Sequence, residues 1–564
     1  MLDDLLPQQW KLLLPTTVLL AMLPLLSIIL LTATRHRSTT TTTGTTNRHR
    51  HPPGPPRLPI IGNLHQIIML VGRGQLPHQR LRDLARRHGP VMALRLGTVP
   101  AVVVSSAEAA RDVLRTHDGD CCSRPDTPGP RRLSYEHNDV AFSPYSEQWR
   151  ERRKLMVVEF LSKRRIQDTW YAREAEVDKL ISGLASAGRE PVLLEEHVFR
   201  YMDGIVGTVA FGNIYGTEHL AYKEHFHHAI ADAMVVRSSF TFEDYFPNAL
   251  GRLADRLTGA AALRERVFRD FDSYFELMLE HHLNNPSDSS SYAGDNGDAG
   301  RGLIDVLIGL MKEHEGSSSL KFTRDVVKAL LTNTFIGAVD TGAVTIVWAM
   351  AELVRHPHIL KKAQHEIRDM VGNNKARVER DDLPKLKYLK HVVKETLRLH
   401  PALPLLVPRE TMRRIEVAGY DVAVGTRVLV NAWAIGRDPA SWGDHPEEFD
   451  PERFDGEDGM SGLSRARFEF LPFGAGRRMC PGIDMGVATT EFTLANLLYC
   501  FDWELPEGMG SEDVSMEEAG GLTVHRKVPL LLPPGPSSSK PATAKQPSPK
   551  ATLEEGDQEK HYFL

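Results

Sequence analysis

Cysteine is scarce in this chain of 564 residues, which has four of them: Cys121, Cys122, Cys480 and Cys500. Two are adjacent, the other two lie far away, and no C-x-x-C spacing occurs. This pattern excludes a disulfide framework and a zinc ribbon, and it is typical of a protein in a reducing compartment. An excess of positive charge is also lacking, because the net charge is -5. The composition therefore gives no reason to expect a nucleic acid partner.

Long uncharged runs are rare as well, but one of them, Leu12–Leu31, lies near the N-terminus. It is long enough to cross a bilayer once. A cleaved signal peptide is the alternative, although its apolar part would be shorter. Arginines follow the run, whereas Asp3 and Asp4 precede it, so the positive-inside rule leaves the bulk of the chain in the cytosol. We therefore predict a membrane anchor over residues 1–34 and a Thr/Arg-rich linker over residues 35–51.

The Gly-rich stretch Phe473–Gly482 holds Cys480 among glycines, two arginines and an aromatic residue. A thiolate is an electron-rich axial ligand for haem iron and favours O–O cleavage. Positive φ angles, predicted at Gly476 and Gly482, would let the backbone pass close beneath a flat macrocycle. A helix predicted to start at Pro481 would point free N–H groups at the sulfur. A buried structural cysteine in a Gly-rich turn is the alternative.

Two groups of basic residues could hold the carboxylates of a haem. Arg478 lies in the cysteine stretch itself and can neutralise a propionate by a charge-assisted hydrogen bond. Trp149 and Arg153 are four residues apart and share one face of a predicted helix, from which an indole N–H and a guanidinium could both reach a carboxylate. Taken alone, this second segment is better explained as a solvated basic helix.

A long helical segment begins after the N-cap residue Thr323 and ends near Arg355, before Pro357. The one charge over residues 329–351 is Asp340. A second membrane span is the alternative, but an aspartate at a bilayer centre costs about 2.5–3.5 kcal/mol. We therefore predict a helix buried through the core of a large domain.

The middle of this helix contains Asp340 and Thr341. The Thr341 hydroxyl can hydrogen-bond the carbonyl of Gly337 one turn back and open the helix locally. A groove for dioxygen would result, with a hydroxyl and a carboxylate available for proton delivery.

Lys387–Leu399 is a further predicted helix, in which Glu395 and Arg398 form an i, i+3 pair. Such a pair is most often an exposed ion pair of little energetic value. Here the helix is apolar, and the sequence Pro-Glu-Arg-Phe follows at residues 451–454.

Strand patterns are few. Val91–Leu96 and Val99–Val104 are separated by Gly97 and predict a hairpin, and Ile415–Val430 is a second region of strand character. The rest of the body is helical in period, so the predicted fold class is mainly α with a small β-rich lobe.

Five motifs in this order resemble those of the cytochrome P-450 haem-thiolate monooxygenases: W-x-x-x-R, the acid–alcohol pair, E-x-x-R, P-E-R-F and the cysteine loop. The segment after Pro52 is similar to that of plant microsomal members. The resemblance implies the cytochrome P-450 fold, haem b with an axial thiolate, and a catalytic domain over residues 52–533. The Pro/Ser/Lys/Glu-rich tail over residues 534–564 is predicted to be disordered.

Each motif carries over a role. Cys480 would ligate the iron, and Asp340 and Thr341 would manage protons. The order Gly337-Ala338 departs from the Ala-Gly that is usual in the family, and the methyl group of Ala338 is expected to narrow the groove and change the fit of a substrate. The cofactor would be held by Trp149, Arg153, Arg409, Phe473 and Arg478, and a buried charge network on its proximal side would consist of Glu395, Arg398 and Arg453.

The implied reaction inserts one oxygen atom from dioxygen into a lipophilic small molecule. Electrons would come from NADPH through a membrane-bound flavoprotein reductase, at the endoplasmic reticulum membrane, with one transmembrane helix and a cytosolic catalytic domain. The segments that the resemblance places around a substrate pocket are apolar in this chain: Phe335, Ile336 and Val339, then Ala402, Leu403, Leu405, Leu406 and Val407, and late in the chain Leu522 and Val524. They favour a specialised metabolite such as a terpenoid, with an aromatic or indole-type substrate as the second candidate. Two alternatives are a haem-thiolate enzyme that rearranges peroxides, which the intact acid–alcohol pair and the membrane anchor argue against, and a haem-binding protein without turnover.

Overall fold

A computed structural model describes residues 50–537, except 72–73, 213–214, 216–231, 234–235, 237–240, 286–301, 314–321, 373 and 457–466. The predicted anchor over residues 1–34, nearly all of the linker over residues 35–51, and the tail from residue 538 lie outside the described residues. Regular structure continues to Pro536, three residues past the predicted domain boundary at residue 533.

Helices make up most of the described chain, as predicted. In chain order they are α1 (Leu64–Val71), α2 (Pro77–His88), α3 (Ala107–Arg111), α4 (Asp118–Cys121), α5 (Pro128–Leu133), α6 (Glu147–Leu155), α7 (Lys163–Asp168), α8 (Trp170–Ser186), α9 (Leu194–Phe211), α10 (Phe242–Tyr245), α11 (Ala249–Leu257), α12 (Ala260–Asn284), α13 (Leu303–Glu313), α14 (Arg324–Arg355), α15 (Pro357–Val371), α16 (Lys387–Leu399), α17 (Ala432–Ile435), α18 (Pro439–Trp442) and α19 (Ile483–Cys500). Single helical turns lie at Asp112–Thr116, Met156–Phe160, Arg380–Lys385, Pro451–Phe454, Gly476–Arg478 and Ser511–Asp513.

The strands are short and form small sheets. They are β1 (Val91–Leu96), β2 (Val99–Val104), β3 (Val192–Leu193), β4 (Arg409–Glu410), β5 (Ile415–Val417), β6 (Tyr420–Val422), β7 (Arg427–Val430), β8 (Phe501–Trp503), β9 (Glu518–Ala519), β10 (His525–Arg526), β11 (Leu531–Leu532) and β12 (Pro534–Pro536). The predicted hairpin is present, with Val91 opposite Val104 in an antiparallel pair. β7 pairs with β2 in parallel and with β4 antiparallel, which gives the order β1-β2-β7-β4. Two-stranded sheets join β10 to β9, β11 to β3, β12 to β8 and β5 to β6.

The long helix α14 runs through the core. Its predicted N-cap is present, since the Thr323 hydroxyl accepts a hydrogen bond from the backbone N–H of Val326. Among the described residues, α14 is the one helix long and apolar enough to cross a membrane, yet 72% of its apolar window is buried inside the protein. It packs against α9, α12, α13, α15, α16 and α19. The prediction of a core helix rather than a second span is therefore confirmed.

Candidate active site

The cysteine stretch forms a tight loop directly before α19. The backbone N–H of Cys480 donates to the carbonyl of Phe473 at 3.0 Å, which closes the loop across the intervening residues. Gly474 and Gly476 have φ angles of 65° and 72°, a region that L-residues with side chains rarely adopt. The loop therefore needs these glycines to bring Cys480 to the start of α19, which packs on α14.

Two details of the predicted loop were wrong. Gly482 has φ −94°, not a positive φ, and the helix after the cysteine starts at Ile483 rather than at Pro481. Gly482 matters for its closeness to the sulfur instead, because a Cβ atom there would lie 3.9 Å from the Cys480 Sγ. Burial raises the pKa of the Cys480 thiol, while a hydrogen bond from the Gly482 backbone and the charge of Arg153 act to lower it.

Asp118 anchors the loop from α4, and sequence reasoning missed it. Its side chain is buried and accepts hydrogen bonds from Arg409 Nη1 at 2.6 Å, from Arg477 Nη1 at 2.9 Å and from the Arg477 backbone at 3.0 Å. A Cβ atom on Gly476 would lie 2.3 Å from Asp118 Oδ1, so the glycine is required by this contact as well. Arg409 also donates to the carbonyl of Ala475 at 2.7 Å. The structure therefore places Arg409 against the loop.

Trp149, Arg153 and Arg478 come together beside the loop. Arg153 donates to the carbonyl of Met479, next to Cys480. The Arg478 guanidinium lies 3.8 Å from the centre of the Trp149 ring, and its N–H groups donate to backbone carbonyls, among them that of Ser143 at 2.6 Å. The indole N–H of Trp149, predicted to reach a carboxylate, donates to a carbonyl of the preceding segment (Val140, 2.8 Å). The ring of Trp149 therefore supports Arg478.

A further buried arginine, Arg124, completes a cationic cluster. It donates to the carbonyls of Ala141 at 2.9 Å and Val407 at 2.6 Å. Burial and the neighbouring charges of Arg478 and Arg409 lower the pKa of Arg124 well below its usual range. Burial likewise lowers the pKa of Arg478, to about 9. No periodic signal marks Arg124 in the sequence; only the fold brings it to the other arginines.

This cluster fits the carboxylates of haem b. It contains the guanidinium groups of Arg124, Arg153, Arg409 and Arg478, opposed by the carboxylates of Asp118 and Asp139. Buried charge that is not compensated costs free energy, and each depressed arginine pKa reports that cost. Two anionic propionates would offset the excess of positive charge and accept charge-assisted hydrogen bonds.

One face of α14 carries the residues that were predicted to form the groove. Gly337 is exposed and Ala338 and Thr341 are half-buried, although the flanking parts of the helix are core. The Thr341 hydroxyl donates to the Gly337 carbonyl at 2.8 Å, as predicted. A Cβ atom on Gly337 would meet nothing within 4 Å, so the Gly-Ala order leaves open space here. Phe335 does not line this face, because it is fully buried in an aromatic cluster with α9 and α12.

Asp340 is buried and turns toward the C-terminal part of the chain. Its carboxylate accepts a hydrogen bond from the Thr523 hydroxyl and lies 3.1 Å from His525 Nε2. Sequence reasoning identified Asp340 but neither of its partners, which lie more than 180 residues away in the chain. Other predicted pocket segments also meet here, since the Val524 N–H donates to the carbonyl of Ala402 at 3.1 Å.

The three residues predicted to form a charge network, Glu395, Arg398 and Arg453, lie together in the structure. Arg398 and Glu395 form a bidentate pair, with distances of 2.7 and 2.6 Å and side chains that are 0% exposed. Arg398 also donates to the carbonyls of Gly436 and Pro446, each at 2.6 Å. Arg453 Nε lies 3.3 Å from Glu395 Oε1, the oxygen that also accepts from Arg398 Nη2. The i, i+3 pair is therefore fully buried rather than a surface ion pair.

The comparisons with known proteins agree with this geometry. The family model for cytochrome P450 matches residues 52–532. The chain is 55% identical over 531 residues to 4-hydroxyphenylacetaldehyde oxime monooxygenase of Sorghum bicolor, which covers 94% of this chain and 96% of that protein. It is 47% identical over 484 residues to 2-methylbutanal oxime monooxygenase of Manihot esculenta, with coverages of 86% and 90%.

Solved structures show the same fold. A zebrafish cytochrome P450 with abiraterone superposes with a TM-score of 0.66 at 24% identity, and the match covers 82% of this chain and 99% of that one. The family uses haem b with an axial cysteine thiolate, and the described loop offers one cysteine in a suitable position. The chain belongs to the cytochrome P450 family and is a haem-thiolate monooxygenase.

Proposed function

We propose that this monooxygenase acts on an aldehyde oxime. The observation that carries the proposal is the 55% identity, over 94% of the chain, to an enzyme named for 4-hydroxyphenylacetaldehyde oxime. A second relative, at 47% identity, is named for 2-methylbutanal oxime. The two substrates share the oxime group and differ in the side chain, so the shared group is favoured over the terpenoid suggested by pocket composition. Because the aromatic oxime belongs to the more similar protein, an aromatic aldehyde oxime is the first candidate.

The groove along α14 suits such a molecule. The hydroxyls of Thr334 and Thr341 donate to carbonyls one turn back, at 2.9 and 2.8 Å. A hydroxyl has one donor and two acceptor lone pairs, so both oxygens can still accept the O–H of an oxime. The apolar body of the substrate would lie against the segment that meets Val524 at Ala402, which carries the half-buried Leu403. Leu405 packs on the β1–β2 sheet instead. Leu406 connects this segment to the cysteine loop, since a Cβ atom on Gly474 would lie 3.5 Å from it.

A substrate panel tests the proposal. Purified enzyme, reductase and NADPH are incubated with 4-hydroxyphenylacetaldehyde oxime, indole-3-acetaldehyde oxime, 2-methylbutanal oxime and a monoterpene alcohol. We expect the aromatic oximes to be consumed with the highest kcat/KM and to give spectral binding titrations that saturate. Consumption of the terpenoid with all three oximes untouched would overturn the proposal.

In the proposed mechanism, Cys480 would bind the iron of haem b as a thiolate, and the bound haem would supply the activation of dioxygen. The Gly482 backbone N–H would stabilise the sulfur charge, and the guanidinium groups of Arg153, Arg409 and Arg478 would hold the propionates. Phe473 closes the loop through its carbonyl. Asp340 and Thr341 deliver protons to the groove.

Removing the Thr341 hydroxyl tests the proton role. We expect Thr341→Ala to leave substrate binding near wild type, because the hydroxyl acts after substrate and dioxygen have arrived. NADPH consumption should continue while hydrogen peroxide is released and product per NADPH falls roughly tenfold or more, in line with the loss of a positioned proton donor. Asp340→Asn should instead slow NADPH consumption itself.

The control is Thr332→Ala, which removes a hydroxyl with the same 2.8 Å bond to a carbonyl, but on the buried face of α14. NADPH, peroxide and product are measured in one assay. Unchanged product per NADPH in Thr341→Ala would leave Thr341 as a residue that only bends the helix.

We also propose attachment to the endoplasmic reticulum membrane, with Leu12–Leu31 as the anchor and the catalytic domain in the cytosol. An exposed apolar surface on the described body supports this. Leu250, Leu253 and Leu257 share one face of α11 and are 75%, 51% and 80% exposed. Ile60 is also 51% exposed. The turn that contains Ile60 and the helix α10, which precedes α11, are both hydrogen-bonded to the turn between β1 and β2. Such a face can rest in the headgroup region of a bilayer.

Membrane attachment is tested by truncation. Deleting residues 1–34 should release the protein only partly from membranes and leave haem content unchanged, because a linker separates anchor and body. Adding Leu250→Ser, Leu253→Ser and Leu257→Ser should release most of the remainder, since each buried leucine contributes about 1.5–3 kcal/mol. Met370→Ser, at an exposed residue of α15, is the control. A truncated protein without haem would show that the anchor is needed for folding.

Electron delivery by an NADPH-dependent flavoprotein reductase completes the proposal. Arg150 and Lys154 are exposed on α6, the helix that carries Trp149 and Arg153. They can meet an acidic partner near the proximal side of the site. Arg152 lies on the same helix but donates to the carbonyl of His137 at 3.0 Å, so its guanidinium is engaged within the protein.

A further inference from the structure

A histidine near the C-terminus of the body contacts the buried acid of the groove. His525 Nε2 lies 3.1 Å from Asp340 Oδ1 and 3.1 Å from the Thr523 hydroxyl, which itself donates to Asp340 Oδ2. The Asp340 side chain is 6% exposed, whereas the His525 side chain is 37% exposed. The three residues therefore connect the solvent to a carboxylate that has little solvent access of its own.

The surroundings of His525 favour its protonated form. Burial lowers the pKa of His525, but the hydrogen bond and charge of Asp340, with a smaller contribution from Glu195, outweigh this and raise the pKa above its ordinary value of 6.5. Glu195 belongs to α9, as does Phe199, whose ring stacks on the imidazole at 5.9 Å. The neighbouring Arg526 lies 3.9 Å from Glu195 and partly compensates that charge.

Strand β9, which pairs with the strand of His525, brings no further uncompensated charge to the imidazole ring. On β9 the residue opposite His525 is Ala519, and the adjacent Glu518 is bonded to His78 at 2.8 Å. Lys527 pairs with Glu517 at 2.8 Å. Within the described part of the chain, His525 Nδ1 has no hydrogen-bond partner, so this nitrogen can exchange a proton with water.

We propose that His525 is a positioning residue through which protons enter the site from solvent and reach Asp340. The inference rests on the proposed proton role of Asp340. A proton from water binds His525 Nδ1, and the Nε2 proton passes to Asp340 Oδ1. The imidazole is then neutral and the carboxyl is protonated, so charge and protons balance. Thr523 donates a hydrogen bond to the second carboxylate oxygen and so keeps Asp340 oriented toward His525 during the transfer.

The state of the pair can be measured without turnover. Exchange of the histidine C2 hydrogen for deuterium, followed by mass spectrometry of peptides, reports the pKa of each of the 24 histidines in the holoenzyme. We expect the pKa of His525 to lie above 6.5 and to fall below about 6.5 in Asp340→Asn. Burial still lowers the pKa in this variant, whereas the negative charge that raised it has been removed. Glu195→Gln should lower it less. An unchanged pKa in Asp340→Asn would overturn the proposal.

Turnover then tests the role. His525→Gln keeps an N–H donor for Asp340 but cannot pass a proton. Because His525 acts through Asp340, we expect the rate of NADPH consumption at pH 7 to fall roughly three- to tenfold, less than the 10²-fold lower end for loss of a general acid. In the wild type, this rate should decline as pH rises through the raised pKa of His525, since the imidazole loses its proton there. In His525→Gln this alkaline decline should be absent.

The matched control is His365→Gln, since His365 pairs with Asp369 at 3.1 Å on the exposed face of α15. A His525→Gln enzyme with the wild-type rate of NADPH consumption and an unchanged alkaline decline would overturn the proposal, whether or not the pKa of His525 responds to Asp340→Asn. Peroxide and NADPH can be followed with any substrate that drives NADPH consumption. Failure of the aldehyde oximes as substrates would therefore be seen separately.

Discussion

Cys480→Ala is expected to abolish haem-thiolate binding and all turnover. The loop from Phe473 to Gly482 places one sulfur beside a backbone N–H and the Arg153 charge. The other cysteines cannot replace it. Cys121 is buried in the apolar cluster around β2 and β7, and Cys122 donates to the Gly119 carbonyl of the preceding helix. Cys500 is the last residue of α19, at the opposite end from Cys480.

The measurement is the absorption spectrum of the reduced carbon monoxide complex. The thiolate-type Soret band should be present in the wild type and absent in Cys480→Ala. Cys500→Ala is the control, because Cys500 is buried at the far end of α19 and should not affect the band. A Cys480→Ala protein that kept the band would show that the ligand has been wrongly assigned.

The second large effect is expected from Arg398→Ala. The guanidinium is fully buried, bidentate with Glu395, and bonded to three backbone carbonyls. Its removal leaves the Glu395 charge and these carbonyls without their main partner. Breaking a buried pair by removing one partner costs about 3–5 kcal/mol, a large fraction of the stability of most proteins.

Urea unfolding and haem content measure this effect. Arg398→Lys should also be destabilised, because an ammonium group cannot reproduce the planar fork. Arg164→Ala is the control; its pair with Asp168 spans 3.8 Å and its side chain is 80% exposed, so the loss should be below about 1 kcal/mol. If Arg398→Ala unfolded at the wild-type urea concentration with full haem content, the network would not be a determinant of the fold.

The features predicted well from sequence are local ones. The Gly337–Thr341 hydrogen bond joins residues one helical turn apart, and the Glu395–Arg398 pair lies within one helix. Helix period and N-cap chemistry also predicted α14 and α16 to within a residue or two. In each case the interacting groups are close in the chain, so spacing alone determines their contact.

The features that sequence reasoning missed depend on distant contacts. Asp118 reaches Arg409, and Asp340 reaches Thr523 and His525, only because the fold brings α4 to the cysteine loop and the C-terminal turn to α14. Phe335 was assigned to the pocket from the family resemblance and its apolar character, neither of which determines the helices that its face of α14 contacts. Gly482 was assigned a positive φ, whereas the close approach of the Cys480 sulfur explains a glycine there equally well.

The central claim is that this haem-thiolate monooxygenase oxidises an aldehyde oxime. The most direct measurement is turnover of 4-hydroxyphenylacetaldehyde oxime under ¹⁸O₂, with purified enzyme, reductase and NADPH, and mass analysis of the product. We predict consumption of the oxime that depends on NADPH and on Cys480, with one ¹⁸O atom incorporated in the monooxygenation product. An oxime left unconsumed by holoenzyme that shows the thiolate Soret band and consumes NADPH with another substrate would contradict the claim.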